Sequence, residues 1–226
     1  MVDDAQAVEA EPGSEQVASG EPARAQLEAY FGASFEKISA FHAMLAEHGE
    51  ERGLIGPREL GRLWNRHILN SAAVVRYLPA RGTIVDVGSG AGLPGIVIAA
   101  MLPDAEVVLI EPMERRCAWL DEVVETVGLP NVTVRRGRAD EYAGAIEADA
   151  VTSRAVASLS KLVRWSFPLV AVGGELVVLK GRNVRDEIEP ARKALRSFGA
   201  SEPEIVEATT IDGTESTTVL RSRRGR

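Results

Sequence analysis

The chain has 226 residues, 45% hydrophobic and 26% charged, enough for one α/β domain with a real core and a modest addition. A single cysteine excludes a disulfide framework and points to a reducing compartment, so the expected location is cytoplasmic. No apolar run approaches the ~20 residues of a membrane span and no signal-peptide core follows Met1, so no membrane partner is expected.

The formal net charge of −7 is unevenly placed. Residues 1–22 hold Asp3, Asp4, Glu9, Glu11, Glu15 and Glu21 with no base and no aromatic residue, and they read as a disordered acidic tail. What remains is nearly neutral and ends in Arg221, Arg223, Arg224 and Arg226, with residues 223–226 read as a basic tail. An acidic protein still binds nucleic acid where its cations gather on one face.

Residues 23–79 form a helical region by pattern. Leu27, Tyr30 and Phe31 make one apolar face. Phe35, Ile38, Phe41 or His42, and Leu45 make a second, behind a cap at Ser34. Pro57 then opens a longer helix through Leu60, Leu63, Trp64, His67, Ile68 and Leu78. On it Arg58, Arg62 and Arg66 recur at i, i+4 and i+8, with Asn70 next in line. They read as a row of phosphate contacts or, more blandly, as a solvated face.

Residues 80–222 are organised around Thr83–Ala100. Ile84 to Val87 is a short β-branched strand, and Gly88, Gly90 and Gly92 follow it. Glycine accepts positive φ and leaves no Cβ in the way, so such a backbone turns sharply against a ligand. Pro94 suits a first helical turn, and the helix runs from Gly95 to Leu102. A dinucleotide fold wants G-x-G-x-x-G directly after the strand, and counted from Gly88 the third glycine falls on Leu93. An acid in the strand followed by G-x-G-x-G fits without slippage, as Asp86 with Gly88, Gly90 and Gly92. That is the S-adenosylmethionine (SAM) pattern. Val107–Glu111 is a second strand ending in a carboxylate, which suits two ribose hydroxyls in a SAM or an NAD site alike.

The helix after it carries Cys117, Leu120, Val124 and Val127 inward and closes at Gly128. Strands follow at Asn131–Arg135, Asp149–Ser153 and Gly174–Lys180, with helices near Ser158–Val170 and Arg185–Phe198. Glu204–Thr210 and Thr217–Arg221 flank Asp212-Gly213, a hairpin signal. Five βα units ending in an antiparallel hairpin give a Rossmann-like class I methyltransferase fold with a seven-stranded sheet. Basic residues follow the strand ends: Arg135, Arg136 and Arg138, then Arg154, then Lys180, Arg182 and Arg185. In an open parallel sheet those ends share the ligand edge, which favours a polyanionic substrate.

Absent features narrow the acceptor. Thr152-Ser-Arg-Ala155 stands where amine methyltransferases carry an Asn/Asp-Pro-Pro-aromatic loop. Cys117, the only cysteine, falls on a buried helix face rather than at a nucleophile position. An acceptor with a free lone pair, such as guanine N7, needs mainly placement. The residues alone leave open a small-molecule methyltransferase and a non-enzymatic nucleotide-binding regulatory module.

Arg66-His-Ile-Leu-Asn-Ser71, Asp86-Val-Gly-Ser-Gly-Ala-Gly-Leu-Pro-Gly95, Ser153-Arg-Ala-Val-Ala-Ser-Leu159 and Leu179-Lys-Gly181 carry a closer likeness. From Leu54 to Leu220 the chain resembles the RsmG (GidB) methyltransferases, which make 7-methylguanosine at guanine 527 of bacterial 16S rRNA. The resemblance implies SAM as cofactor, held by Asp86, Gly88, Ser89, Gly90, Gly92, Leu93 and Glu111, with adenine beside Ala139 and Asp140 or Glu141. It implies substrate-edge, catalytic roles for Arg138, Arg154 and Lys180, with Arg154 also touching the cofactor. Arg58, Arg62, Arg66 and Arg182 are the expected RNA contacts, and the 16S rRNA or 30S subunit is the expected partner. Neither a metal nor an oligomer is expected. Asn70 stands where the family commonly has aspartate, and Gly53-Leu-Ile-Gly56 where it has Asn-Leu-Thr-Ala.

Overall fold

The computed structural model describes residues 21–154 and 156–225. The acidic stretch 1–20, Ala155 and Arg226 lie outside the described residues. Two helices open the chain, α1 (Arg24–Phe31) and α2 (Phe35–His48). Phe35, Ile38, Phe41 and Leu45 of α2 are buried at helical spacing, each worth about 2 kcal/mol of burial. Ser34 makes no side-chain cap; a 3₁₀ turn over Gly32–Ser34 runs straight into α2 instead.

The expected long helix from Pro57 is broken into unlike turns. Pro57–Arg62 is 3₁₀, Trp64–Leu69 is a π-helix, α3 (Asn70–Ala72) is one short α turn, and Val75–Tyr77 is 3₁₀ again. Pro57 is at home in a first turn, where its missing amide costs nothing, whereas Gly61, a poor helix former, lies where the α pitch is lost. Arg58, Arg62 and Arg66 therefore do not share one α-helical face.

The sheet follows the sequence reading closely. Its strands are β1 (Gly82–Val87), β2 (Ala105–Glu111), β3 (Val132–Arg136), β4 (Ala148–Thr152), β5 (Val170–Lys180), β6 (Glu204–Ala208) and β7 (Thr217–Arg223). Their order is β3-β2-β1-β4-β5-β7-β6. The first five are parallel; β7 pairs antiparallel with both β5 and β6. Between them run α4 (Gly95–Met101), α5 (Glu114–Val127), α6 (Leu159–Ser166) and α7 (Val184–Ser197). Gly128 closes α5 at φ +71°, and Phe167–Leu169 turns 3₁₀ where the sequence suggested more helix. The arginines described at this end, Arg221, Arg223 and Arg224, are not a free tail. Arg221 and Arg223 lie in β7 and pair with Glu175, while Arg224 donates to the Phe167 and Val170 carbonyls.

Strand side chains alternate between two cores. Ile84 faces the one shared by α1, α2, α4 and α5; Val85 and Val87 face the one under α6 and α7. The N-terminal helices thus have no core of their own but complete one face of the sheet. No helix among the described residues is long and apolar enough to cross a membrane.

Candidate active site

The strand order reverses between β1 and β4, and the crevice beyond the carboxyl ends of such strands is where open α/β sheets take ligands. The loop leaving β1 is tied down there by its own backbone. Gly88 and Ser89 donate their N–H groups to the Ile110 carbonyl, at 2.8 and 3.2 Å, which fixes the loop to β2. The Ser89 hydroxyl donates to the Asp86 carbonyl at 3.0 Å, and Trp119 Nε1 to the Ala91 carbonyl at 3.0 Å.

Asp86 is fully buried and lies beneath the cleft rather than in its wall. Its Oδ2 accepts the Gly95 N–H at 3.0 Å, so the acid clamps the start of α4 to β1. Burial raises its carboxyl to about 7, against the pull of that hydrogen bond. Gly95 is obligatory in this clamp: a Cβ there would fall 2.2 Å from Leu109 Cδ2 and 2.7 Å from Asp86 Oδ2. Gly92 also turns away from the cleft, toward Ile96 and Phe41. Gly90 does the opposite. At φ +55°, a Cβ built on it would meet nothing nearer than the Gly88 carbonyl at 3.8 Å.

Glu111, 2% exposed, stands opposite. One carboxylate oxygen accepts the Gly90 N–H and the other the Met113 N–H, each at 3.0 Å, and Arg116 Nη1 sits 3.9 Å away. Each oxygen keeps a lone pair, so the group can still accept two hydroxyls. Around these residues lies a cleft of about 530 Å³, within the range of small-molecule and cofactor sites.

The cleft wall contains Gly88, Ser89, Gly90, Leu93, Glu111, Arg138, Ala139, Asp140 and Arg154 of the residues singled out in the sequence. Glu141 lies outside it, with its carboxylate turned toward Gly137. Lys180 is also outside: only 9% exposed, its Nζ donates to Glu187 at 2.8 Å and to the Ala157 carbonyl at 3.0 Å. It ties the segment after β4 to α7. The Cys117 thiol is buried, donates to the Glu111 carbonyl at 3.1 Å and is pushed up by burial, which fits packing and not nucleophilic attack.

Arg62 and Arg66 pair with Glu215 and Glu59 at 3.2 and 3.5 Å, while Arg58 and Arg182 are exposed. Sequence reasoning missed Trp165, Arg116, Val156 and Leu54, all in the cleft wall. Trp165 carries the Arg138 guanidinium 5.8 Å above its ring. Only its place on the strongly amphipathic α6 after β4 could have signalled it.

A family profile described as "rRNA small subunit methyltransferase G" matches residues 34–213, most of the chain. The chain belongs to that family. Relatives of the same description include one from Beutenbergia cavernae, 48% identical over 192 residues, covering 85% of this chain and 91% of that one. Another, from Clavibacter michiganensis subsp. michiganensis, is 46% identical over 203 residues, covering 90% and 96%. The fold is similar to M. jannaschii TYW2 in complex with AdoMet (TM-score 0.56, 18% identity, 72% and 78% covered). It is also similar to a putative O-methyltransferase from Klebsiella pneumoniae (TM-score 0.55, 14% identity, 88% and 99% covered). The family match covers the whole Gly88–Gly95 loop, the β4 end and most of the N-terminal helices.

Proposed function

We propose that this chain transfers a methyl group from SAM to the rRNA of the small ribosomal subunit, at N7 of guanine 527 as the family resemblance implies. The observation that carries the reading is the open face of Gly90 set against the buried carboxylate of Glu111, with Arg138 and Arg154 in the same wall. SAM, when bound, supplies an electrophilic methyl on a sulfonium.

The chain's own residues do the rest by placement. Glu111, held by the Gly90 and Met113 amides, would take the ribose hydroxyls. Ala139 and Asp140 would flank the adenine, with Trp165 and Val156 supplying apolar wall. Arg138 and Arg154 put positive charge where a polyanion enters. Guanine N7 already holds a lone pair, so no side chain need remove a proton before attack and in-line proximity carries most of the rate. Arg58 and Arg182, both exposed, would serve as an outer cationic track for RNA. The test is incubation with methyl-labelled SAM and small subunits that lack the mark. Label should enter 16S rRNA; label found only in small molecules, or NAD binding in place of SAM, would overturn the reading.

A further inference from the structure

Glu59, His67 and Asn70, none of which has a part in the proposed transfer, meet beside the cleft at Arg154. His67, in the π-helix, is 14% exposed and lies between two charged groups from distant parts of the chain. Its Nε2 is 3.0 Å from Glu59 Oε2, and its Nδ1 is 3.2 Å from Arg154 Nη2. A guanidinium can only donate and a carboxylate can only accept, so these contacts fix the tautomer. Nδ1 holds the lone pair and accepts from Arg154; Nε2 keeps its proton and donates a hydrogen bond to Glu59. Arg154 Nη1 donates to the Arg66 carbonyl at 3.3 Å and faces Asn70 Oδ1 at 3.5 Å. The Asn70 amide nitrogen is anchored on Thr217 Oγ1 at 2.9 Å, which turns its oxygen toward the guanidinium.

We propose that His67 is a positioning residue: as the neutral Nε2–H tautomer, braced by Glu59, it holds the Arg154 guanidinium in the cleft wall. The role deepens the methyl-transfer reading and rests on it for its consequence, though not for its geometry. Arg154 is the one cation in the cleft wall contributed by the end of β4, and without partners its long three-methylene stem has many rotamers. His67 and Asn70, three positions apart where the backbone passes from π to α turns, both reach the guanidinium, and Glu59 reaches it through His67. π turns recur at functional sites for this kind of reason.

The arrangement has a sign. The charged groups facing His67 are Glu59 and Arg66 from its own segment and Arg154 from the β4 end, with Arg62 behind Glu59 and Asp86 behind Arg154. Burial and then the Arg154 charge hold the imidazole below its ordinary 6.5, while Glu59 pulls the other way, so the ring is neutral at pH 7. As pH falls through its pKa, the proton arrives on Nδ1 and faces a guanidinium N–H. The ring then keeps Glu59 and releases Arg154. Methyl transfer should fall on the acid side with the pKa of His67, not with that of a proton-transfer base.

Nuclear magnetic resonance of ¹⁵N-histidine in the full chain tests the geometry without any substrate. His67 should show a protonated Nε2 and a bare Nδ1 at pH 7.5. Its pKa should rise in Arg154→Ala and fall in Glu59→Gln, since the two partners act in opposite directions. The kinetic arm compares His67→Leu with His67→Asn, whose amide keeps an acceptor near the Nδ1 position. His67→Leu should lower kcat on the order of 100-fold, the scale of a misplaced group, with SAM affinity near that of the parent. His67→Asn should recover most of that rate and lose the acid limb. A protonated Nδ1, a pKa indifferent to Arg154, or an unchanged kcat in a folded His67→Leu would overturn the proposal. If the resonances behave as stated while the parent protein methylates no rRNA, the relay stands and the functional reading falls.

Discussion

The floor of the cleft and its cationic rim are built by different means. The floor is backbone: Gly88, Ser89, Gly90 and Gly95 are fixed by amide hydrogen bonds to Ile110, Glu111 and Asp86, all within about one βαβ unit of sequence. The rim is side chains joined across the whole chain, as in Arg154 with His67, 87 positions apart, or Asn70 with Thr217, 147 apart. A floor of this kind tolerates no added atoms, whereas a rim tolerates them but depends on each partner. Substitutions should therefore separate binding from rate.

The largest effect should come at the floor. Gly90→Val places a branched side chain in the open cleft and at φ +55°, and should weaken SAM by ~100-fold or more, about 3 kcal/mol. Calorimetry checks it, and circular dichroism checks that the strain of a branched residue at φ +55° stays in the loop, since the nearest non-neighbouring atom to the added Cβ is the Gly88 carbonyl at 3.8 Å. Full SAM affinity in this variant would mean that the ligand lies elsewhere.

Next in size is the rim. Arg154→Ala should reduce transfer on the order of 100-fold while SAM affinity changes little, the signature of a group that acts on placement. Equal losses in binding and rate would move Arg154 into the floor.

Those two regions also differ in how far the sequence revealed them. The glycine frame, the acid ending β2 and the closing hairpin are local signals, and the seven-stranded layout with its antiparallel end followed from them. Asp86 was legible as part of the pattern but not as a clamp on Gly95, because that role depends on a contact nine positions away. Lys180 shows the opposite failure. It sits at a strand end, where cations gather at the ligand edge, yet its ammonium turns inward to Glu187 on α7. Arg62 and Arg66 fell on one face only under an α pitch, whereas Pro57–Arg62 runs 3₁₀ and Trp64–Leu69 runs π. Glu59, His67 and Asn70 stand at helical spacing, but Arg154, 87 positions beyond His67, carries no local signal of the contact, so the relay could not be read from the sequence.

Lys180 belongs to neither the floor nor the rim. Lys180→Ala strips the partner from Glu187 and the donor from the Ala157 carbonyl in a nearly buried setting, at a cost of about 2–3 kcal/mol. Denaturant unfolding should show that loss, with transfer per folded molecule close to the parent's. A large fall in kcat at unchanged stability would return Lys180 to the chemistry.

The smallest effect should be at the outer track. Arg182→Ala should weaken RNA binding across sequences and reduce the salt slope by about 1, as loss of one phosphate contact does. Titration of binding against salt concentration reads it directly.

The acceptor atom decides the account as a whole. Methylation of N7 leaves a cationic guanine whose glycosidic bond becomes labile after borohydride reduction, so aniline then cuts the backbone at that nucleotide. Small-subunit rRNA treated with this protein and SAM should be cut at one guanine, position 527, with no cut in the untreated control. Methyl transfer with no aniline cut, and an N2- or carbon-methylated base in the digest, would contradict it.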